Sequence, residues 1–176
     1  MAQGKGGALP KLKQTLLVPQ PGDSVELDEV WSFVRRKKQQ VWVWLAVAYQ
    51  SRQVRAMVVG DRSAKTCRKL WERLPEAYQR LTSYTDFYRA YQEVIPREVH
   101  QACKKGSGLT NTVERFNLTL RQRVGRLVRK TLSFSKSPLM HLLCLRLFID
   151  SYNRYCLQRF KKDITDPRLL TTVTTP

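Results

Sequence analysis

The amino-acid sequence predicts an α/β domain built on one mixed sheet with helices packed on both faces. Three observations lead there. Three strand-like runs lie close together near the start, joined by connections too short for a crossover helix. The second of them, Val41-Trp42-Val43-Trp44-Leu45-Ala46-Val47-Ala48-Tyr49, is apolar on both faces and so belongs in the interior of a covered sheet. After them, helix-periodic segments alternate with short strand candidates, and the pattern ends in two consecutive helices.

Each element has its own signal. Strand one, about 25–34, alternates: Val25, Leu27, Trp31 and Phe33 share one face, and Glu26, Asp28 and Ser32 share the other. Strand three, Val54 to Val59, follows a short turn at Gln50 to Gln53, which makes the first three strands an antiparallel meander. Ser63 is placed to N-cap a helix whose apolar face is Ala64, Cys67, Leu70, Trp71 and Leu74, and Pro75 ends it. A fourth strand, Leu81 to Asp86, leads into a short helix around Phe87 to Glu93, and a fifth strand is expected near Arg97 to Ala102. Lys104 to Gly108 reads as a loop. A helix from about 111 to 129 carries the core stripe Val113, Phe116, Leu120, Val124 and Leu127. Ser137-Pro138 opens a last helix reaching about Leu157, with proline at the favoured first helical position. The order β-β-β-α-β-α-β-α-α is the connectivity of the ribonuclease H-like fold. Residues 1–22, rich in Gly, Lys, Pro and Gln, are expected as a flexible lead-in, 23–160 as the folded domain and 161–176 as a loose tail.

Composition narrows the function. Lys and Arg number 32 against 14 Asp and Glu, a formal charge of +18. Residues 97–136 alone hold ten Lys or Arg against two acids, Glu98 and Glu114. Such an excess implies a polyanionic partner, because each neutralised phosphate releases condensed counterions. The most apolar helix candidate, Leu139 to Ile149, is interrupted by His141 and Arg146 and falls short of the roughly 20 apolar residues that span a bilayer. With no apolar signal segment at the N-terminus, a soluble cytoplasmic protein is expected. Cys67, Cys103, Cys144 and Cys156 form no CxxC pair, and His100 and His141 are isolated, which argues against structural zinc. His141 and Cys144, one helical turn apart, are expected as packed residues of a buried helix.

Against that positive charge, three acids stand out: Asp28 inside strand one, Asp86 at the end of strand four, and Glu114 in the first turns of a basic helix. In-line attack on a phosphodiester needs an activated oxygen nucleophile and neutralisation of the leaving oxygen. Two Mg²⁺ ions roughly 3.5–4 Å apart supply both. Mg²⁺ takes oxygen ligands and keeps several waters, so a few carboxylates suffice, and Mn²⁺ can substitute. Each acid also has a plainer use. Asp86 could cap the following helix, and Glu114 could answer the helix dipole or pair with Arg121. Glu26 shares the face of Asp28 and is its one rival, while Glu29 points to the opposite face and is expected at the surface or in an ion pair. Beyond Glu114, Asn117 and Arg121 lie one and two turns on and are candidates to touch phosphate. Arg123, Arg126, Arg129, Lys130 and Lys136 continue the basic density, with Ser133, Ser135 and Ser137 as small donors; phosphate contacts from such a stretch position DNA without reading its sequence.

At these residues the chain resembles the catalytic reading frame of transposases of the insertion sequence one type. The matching motifs are Leu27-Asp28-Glu29-Val30-Trp31, then Thr85-Asp86-Phe87-Tyr88-Arg89-Ala90-Tyr91. The longest and most specific runs from Val113-Glu114-Arg115-Phe116-Asn117 to Gly125-Arg126-Leu127 and on to Ser137. The resemblance covers about residues 25 to 156. It implies a DDE transposase in which Asp28, Asp86 and Glu114 match the metal-binding triad. The implied reaction is Mg²⁺-dependent hydrolysis at the element ends, then attack of the freed 3′-hydroxyl on target DNA, with no covalent protein–DNA intermediate. Members of that family usually carry an upstream zinc-binding segment and a helix-turn-helix that recognise the element ends, often joined by translational frameshifting. Residues 1–22 show neither pattern. End recognition is therefore expected from a fused N-terminal segment, and the chain is expected to act as a homo-oligomer on DNA.

Three other readings compete. A tyrosine recombinase would use Tyr152 or Tyr155, but His141 with Arg146 does not give the spacing that class needs. A ribonuclease H-like nuclease shares the fold and metals, and only the long third motif argues against it. A truncated, non-catalytic DNA-binding regulator would bind DNA without metal.

Overall fold

The computed structural model describes residues 16–104, 106–127 and 132–165, with side chains through Asp163. The central element is β1 (Val25–Phe33), which pairs antiparallel with β2 (Gln40–Ala48) in register from Val25↔Ala48 to Phe33↔Gln40. β2 pairs antiparallel with β3 (Val54–Gly60), completing the meander. The chain then crosses over through α1 (Ala64–Arg73) and a one-turn α2 (Glu76–Gln79) to β4 (Ser83–Thr85), which lies parallel to β1 on its other side. After α3 (Arg89–Val94), β5 (His100–Ala102) adds parallel to β4, giving the strand order β3-β2-β1-β4-β5. Helices α4 (Asn111–Arg123) and α5 (Pro138–Thr165) follow. This is the mixed, helix-flanked sheet that the residue pattern predicts.

Two cores hold the layers together. Val25, Leu27, Trp44, Ala46 and Ala48 meet Cys67, Leu70, Tyr78 and Tyr91 on the α1–α3 face. Val30, Val43, Leu45 and Val47 meet Val113, Phe116, Leu120, Leu145 and Ile149 on the α4–α5 face. The two-sided apolarity of β2 has its reason here, since its alternate residues feed both cores. Ser63 N-caps α1 as expected, its hydroxyl accepting from the Thr66 amide, and Leu74 and Pro75 end the helix. Gly60 ends β3 because α1 presses on it: a Cβ there would sit 2.7 Å from Thr66 Cγ2.

Several boundaries differ from expectation. The short α2 begins immediately after Pro75, whose fixed φ opens a helix as readily as it ends one. α4 stops at Arg123 rather than about 129, because Val124 leaves the helical conformation; a separate 3₁₀ turn, Gly125–Leu127, follows. Val124 and Leu127 still reach the core. α5 continues past Leu157 through Thr165, into the stretch expected as tail; residues 166–176 lie outside the described residues, as do 1–15. Residues 16–22, expected as flexible, are tied to the sheet. The Leu17 amide donates to Gln53 Oε1 at 3.0 Å, and its carbonyl accepts from Arg55 and Tyr78. No helix among the described residues is long and apolar enough to cross a membrane.

One polar residue inside the apolar layers stitches α5 to the sheet. β3 is an edge strand, and the fully buried Asn153 completes its ladder: Nδ2 donates to the Val54 carbonyl at 2.9 Å and Oδ1 accepts from the Val54 amide at 2.8 Å. Helix-period patterning alone reads such an asparagine as a surface residue. Asn153→Ala leaves both Val54 groups unpaired and is expected to destabilise the fold by about 2–4 kcal/mol, measured by urea unfolding; a loss below about 0.5 kcal/mol would mean that the side chain is dispensable.

Candidate active site

Three elements converge on one cleft. Asp28 sits at mid-strand on β1, facing α4. β4 runs parallel beside β1 with Val25↔Ser83 and Glu26↔Tyr84, and the same register continued by two residues sets Asp86 beside Asp28. Asp86 is the first residue beyond β4, at the carboxyl end of parallel strands where α/β sheets open a crevice. Glu114 lies in the first turn of α4. All three line a single open cleft of about 700 Å³, together with Thr110, Asn117 and Arg121.

The rotation of α4 that points Glu114 into this cleft is set by Glu26. Its Oε2 accepts from the Val113 amide at 2.9 Å, in the first turn of the helix, where backbone N–H groups lack intrahelical partners. Glu26 is 1% exposed and does not line the cleft, so this rival to Asp28 has a helix-docking place instead. Burial raises its pKa, opposed by hydrogen bonds from Val113 and Thr112.

Each cleft acid is held by a neighbour. Asp28 Oδ1 accepts from the Glu29 amide at 2.8 Å, and Oδ2 accepts from Asn117 Nδ2 at 2.6 Å. Thr110 Oγ1 donates to Glu114 Oε1 at 2.8 Å, and Asp86 Oδ1 accepts from the Tyr88 amide at 2.9 Å. The capping use of Asp86 is thus partly realised, although α3 itself begins at Arg89 with no side-chain cap. Burial pushes the Asp28 carboxyl up to about 7, and the charges of Glu29, Asp86 and Glu114 push the same way. The Glu29 amide works against them.

Behind the cleft lies a brace that strand alternation reveals only in part. Glu29 is ion-paired, as one of its two expectations had it, but it is buried rather than at the surface. Arg62 lies 2.6 Å from its Oε1, and the Tyr91 hydroxyl donates to its Oε2 at 2.7 Å. Burial and the Glu29 charge hold Tyr91 far above its usual range, so it stays a donor. The Arg62 guanidinium stacks over Trp42 and Tyr88, and the Tyr88 hydroxyl donates to the Arg62 carbonyl at 2.7 Å. Through Tyr88 the brace reaches the Asp86 turn. The sequence signal was the Tyr88/Tyr91 pair beside Asp86, polar aromatics that need partners once buried.

The basic candidates divide. Arg121 lines the cleft. Asn117, expected to touch phosphate, is 8% exposed, and its amide is turned onto Asp28. Arg123, the last residue of α4, and Arg126 and Lys136 beyond it lie around a neighbouring hollow with Ser133 and Ser137, and Arg126 Nε donates to Cys144 Sγ at 3.1 Å. Arg126 and Lys136 do not extend the helix face, because α4 has already ended. Ser135 is buried instead, paired with His141 Nδ1 at 2.7 Å. Arg129 and Lys130 lie outside the described residues. Tyr152 belongs to the aromatic packing against Phe116, away from the acids.

The residues present suit a hard divalent cation: an all-oxygen donor set, mutual repulsion among acids in one cleft, and a buried carboxylate that a cation would let ionise. They are not gathered around a single point. Among the described residues, no group of three or more Asp, Glu, His or Cys is close enough to close on one ion.

Comparison with known proteins agrees with this architecture. The IS1 transposase family model matches residues 24–155, which span every element from β1 to the greater part of α5. The insertion element iso-IS1n protein InsB of Shigella dysenteriae is 40% identical over 131 residues, covering 74% of this chain and 96% of that protein. The insertion element IS1 protein InsB of Shigella flexneri is 37% identical over 116 residues, 66% of this chain and 86% of that one. The IS1 4 protein InsB of Escherichia coli K12 is 36% identical over 126 residues, 69% and 73% of the two chains. The fold, the cleft and these likenesses coincide on the same residues, and the chain belongs to the IS1 transposase family.

Proposed function

We propose that this chain cuts and joins DNA by metal-dependent phosphoryl transfer, with Asp28, Asp86 and Glu114 as the carboxylates that hold the divalent ions. The observation that carries the reading is the meeting of these acids, from three separate elements, in one cleft that also contains Arg121. Mg²⁺ held there, or Mn²⁺ in its place, supplies an activated oxygen nucleophile and neutralises charge on the leaving oxygen. The chain's own residues do the rest. Asn117 and Thr110 each occupy one oxygen of their carboxylate, which orients the other. Arg121 meets the scissile phosphate or its neighbour, since a guanidinium binds phosphate bidentately. Arg123, Arg126 and Lys136 continue the backbone contacts, with Arg129 and Lys130 as further candidates. Cleavage at an element end frees a 3′-hydroxyl, which then attacks a phosphodiester of target DNA. A homo-oligomer on DNA and a fused N-terminal segment for end recognition complete the reading.

The direct test is strand transfer with pre-cut element ends, Mg²⁺ or Mn²⁺ and a plasmid target. Glu114→Gln is expected to lower joining by about 10³-fold or more while DNA affinity stays within a factor of about three. Equal joining by the mutant would remove Glu114 from the chemistry, and DNA binding without any joining by the wild type would favour the non-catalytic regulator. Asn117→Ala loosens Asp28 and is expected to reduce joining by about 10–100-fold, an effect read from single-turnover rates; unchanged rates would leave Asn117 a packing residue.

Asp28 also predicts a pH effect. Its folded pKa of about 7 exceeds its ordinary value of 3.8. The native state therefore holds a proton that the unfolded state releases, and stability contributed at this site falls as pH rises between those values. Without divalent metal at pH 8, Asp28→Asn is expected to melt higher than wild type by about 5 °C. Mg²⁺ or Mn²⁺ should raise the melting temperature of wild type and leave that of the mutant unmoved. Equal shifts in both proteins would place the cation elsewhere.

A further inference from the structure

α4 is a ridge with a hollow on each flank. Val113, Phe116 and Leu120 press into the core, while Glu114, Leu118 and Arg121 face the acidic cleft. The third stripe, Arg115, Thr119 and Arg123, recurs every four residues and lines a different groove of about 400 Å³. Its other walls are Arg52, from the turn between β2 and β3, and Tyr155 and Arg159, from α5. All four arginines are exposed, and among the described residues none is in an ion pair with a carboxylate. One acid, Asp163, borders the groove, and Arg159 shares a hydrogen bond with the Tyr155 hydroxyl.

Four guanidinium groups around one groove repel each other until an anion neutralises them. Arginine rather than lysine at every basic position favours oxyanions such as phosphate, which the planar guanidinium binds through two parallel hydrogen bonds. Arg115 and Arg123 are about 12 Å apart along the helix, a span over which one strand of duplex DNA presents three to four phosphates at roughly 3.4 Å each. The body of α4, about 10 Å across, separates them from Asp28. A phosphate lying in this groove is therefore not the one at the carboxylates.

We infer that the groove formed by Arg52, Arg115, Arg123 and Arg159 is a second DNA-backbone site, on the flank of α4 away from the acids. It rests on the reading of this chain as a DNA-cutting enzyme, and it adds Arg52, Arg115 and Arg159 to the phosphate-contact candidates named there. It gives the chain two DNA tracks, one on each side of the helix that carries Glu114.

The test is the salt dependence of binding to a fluorescent duplex of about 30 base pairs, using the full chain and the triple variant Arg52→Gln/Arg115→Gln/Arg159→Gln. Arg123 is left intact because it also borders the neighbouring hollow. Wild type is expected to bind with a steep fall of log K against log[NaCl]. The triple variant should have a slope shallower by about 2.7, or 0.9 for each lost phosphate contact, with an unchanged circular dichroism spectrum. The matching Arg→Lys triple variant should keep the steep slope, and Glu114→Gln should not alter it. An unchanged slope in the glutamine variant overturns the inference and leaves the active-site reading standing, which strand transfer tests separately. Wild type that fails to bind DNA overturns both. Poly-glutamate binding that is lost in the glutamine variant, with DNA binding unmoved, would assign the groove to an acidic polypeptide and overturn the DNA site.

Discussion

The contact between the Glu26 carboxylate and the Val113 amide governs the rest of this structure. A strand acid two residues before Asp28 takes hold of the free amides at the start of α4, where the helix has both unsatisfied donors and partial positive charge. Once that end is fixed, helical geometry decides every other direction. Val113, Phe116 and Leu120 must enter the core, Glu114 and Arg121 must face the cleft, and Arg115 and Arg123 must face the opposite flank. A rotation of one residue, about 100°, would turn Glu114 away from Asp28. The contact is buried, with Glu26 at 1% exposure, so it is strong only while both partners stay in place.

The same strand distributes three acids to three duties by alternation and neighbourhood. Glu26 docks a helix, Asp28 opens to the cleft, and Glu29 turns to the other face to meet Arg62 and Tyr91. Their differing surroundings explain why one protein of strongly positive charge keeps acids so close together. Glu29 has a guanidinium partner, whereas Asp28 has a backbone amide, an asparagine amide and the repulsion of its neighbours. A carboxylate left in that state favours whatever brings positive charge to it. On the proposed reading, Arg121 in the cleft and the arginines around it would draw DNA to the same place, so that cation and polyanion would be attracted together.

Much of this was legible from residues alone, for reasons that are local. The alternation in Val25 to Phe33, the two-sided apolarity of β2, Ser63 before α1 and Pro138 at the start of α5 each express a short-range rule, and each appears in the structure. The end of α4 was misjudged because the apolar stripe continues through Val124 and Leu127, which stay buried after the helix has ended. Burial periodicity and hydrogen-bonded helix are different properties, and here they part at Val124. Asn153 was invisible for the opposite reason: an asparagine on a helix gives no sign that an edge strand a hundred positions earlier needs its amide.

By itself, then, the sequence determined the mixed sheet, the order of its elements, the three acids worth watching and the positive charge around them, because strand alternation, helix period and composition are written in neighbouring residues. Only the tertiary structure decided what each side chain does. Asn117 turns its amide onto Asp28, Glu26 docks α4 instead of joining the cleft, and Glu29 is buried by an arginine from another loop. Those outcomes depend on strand register and on the rotation of a helix against the sheet, and both are set by contacts between residues dozens of positions apart.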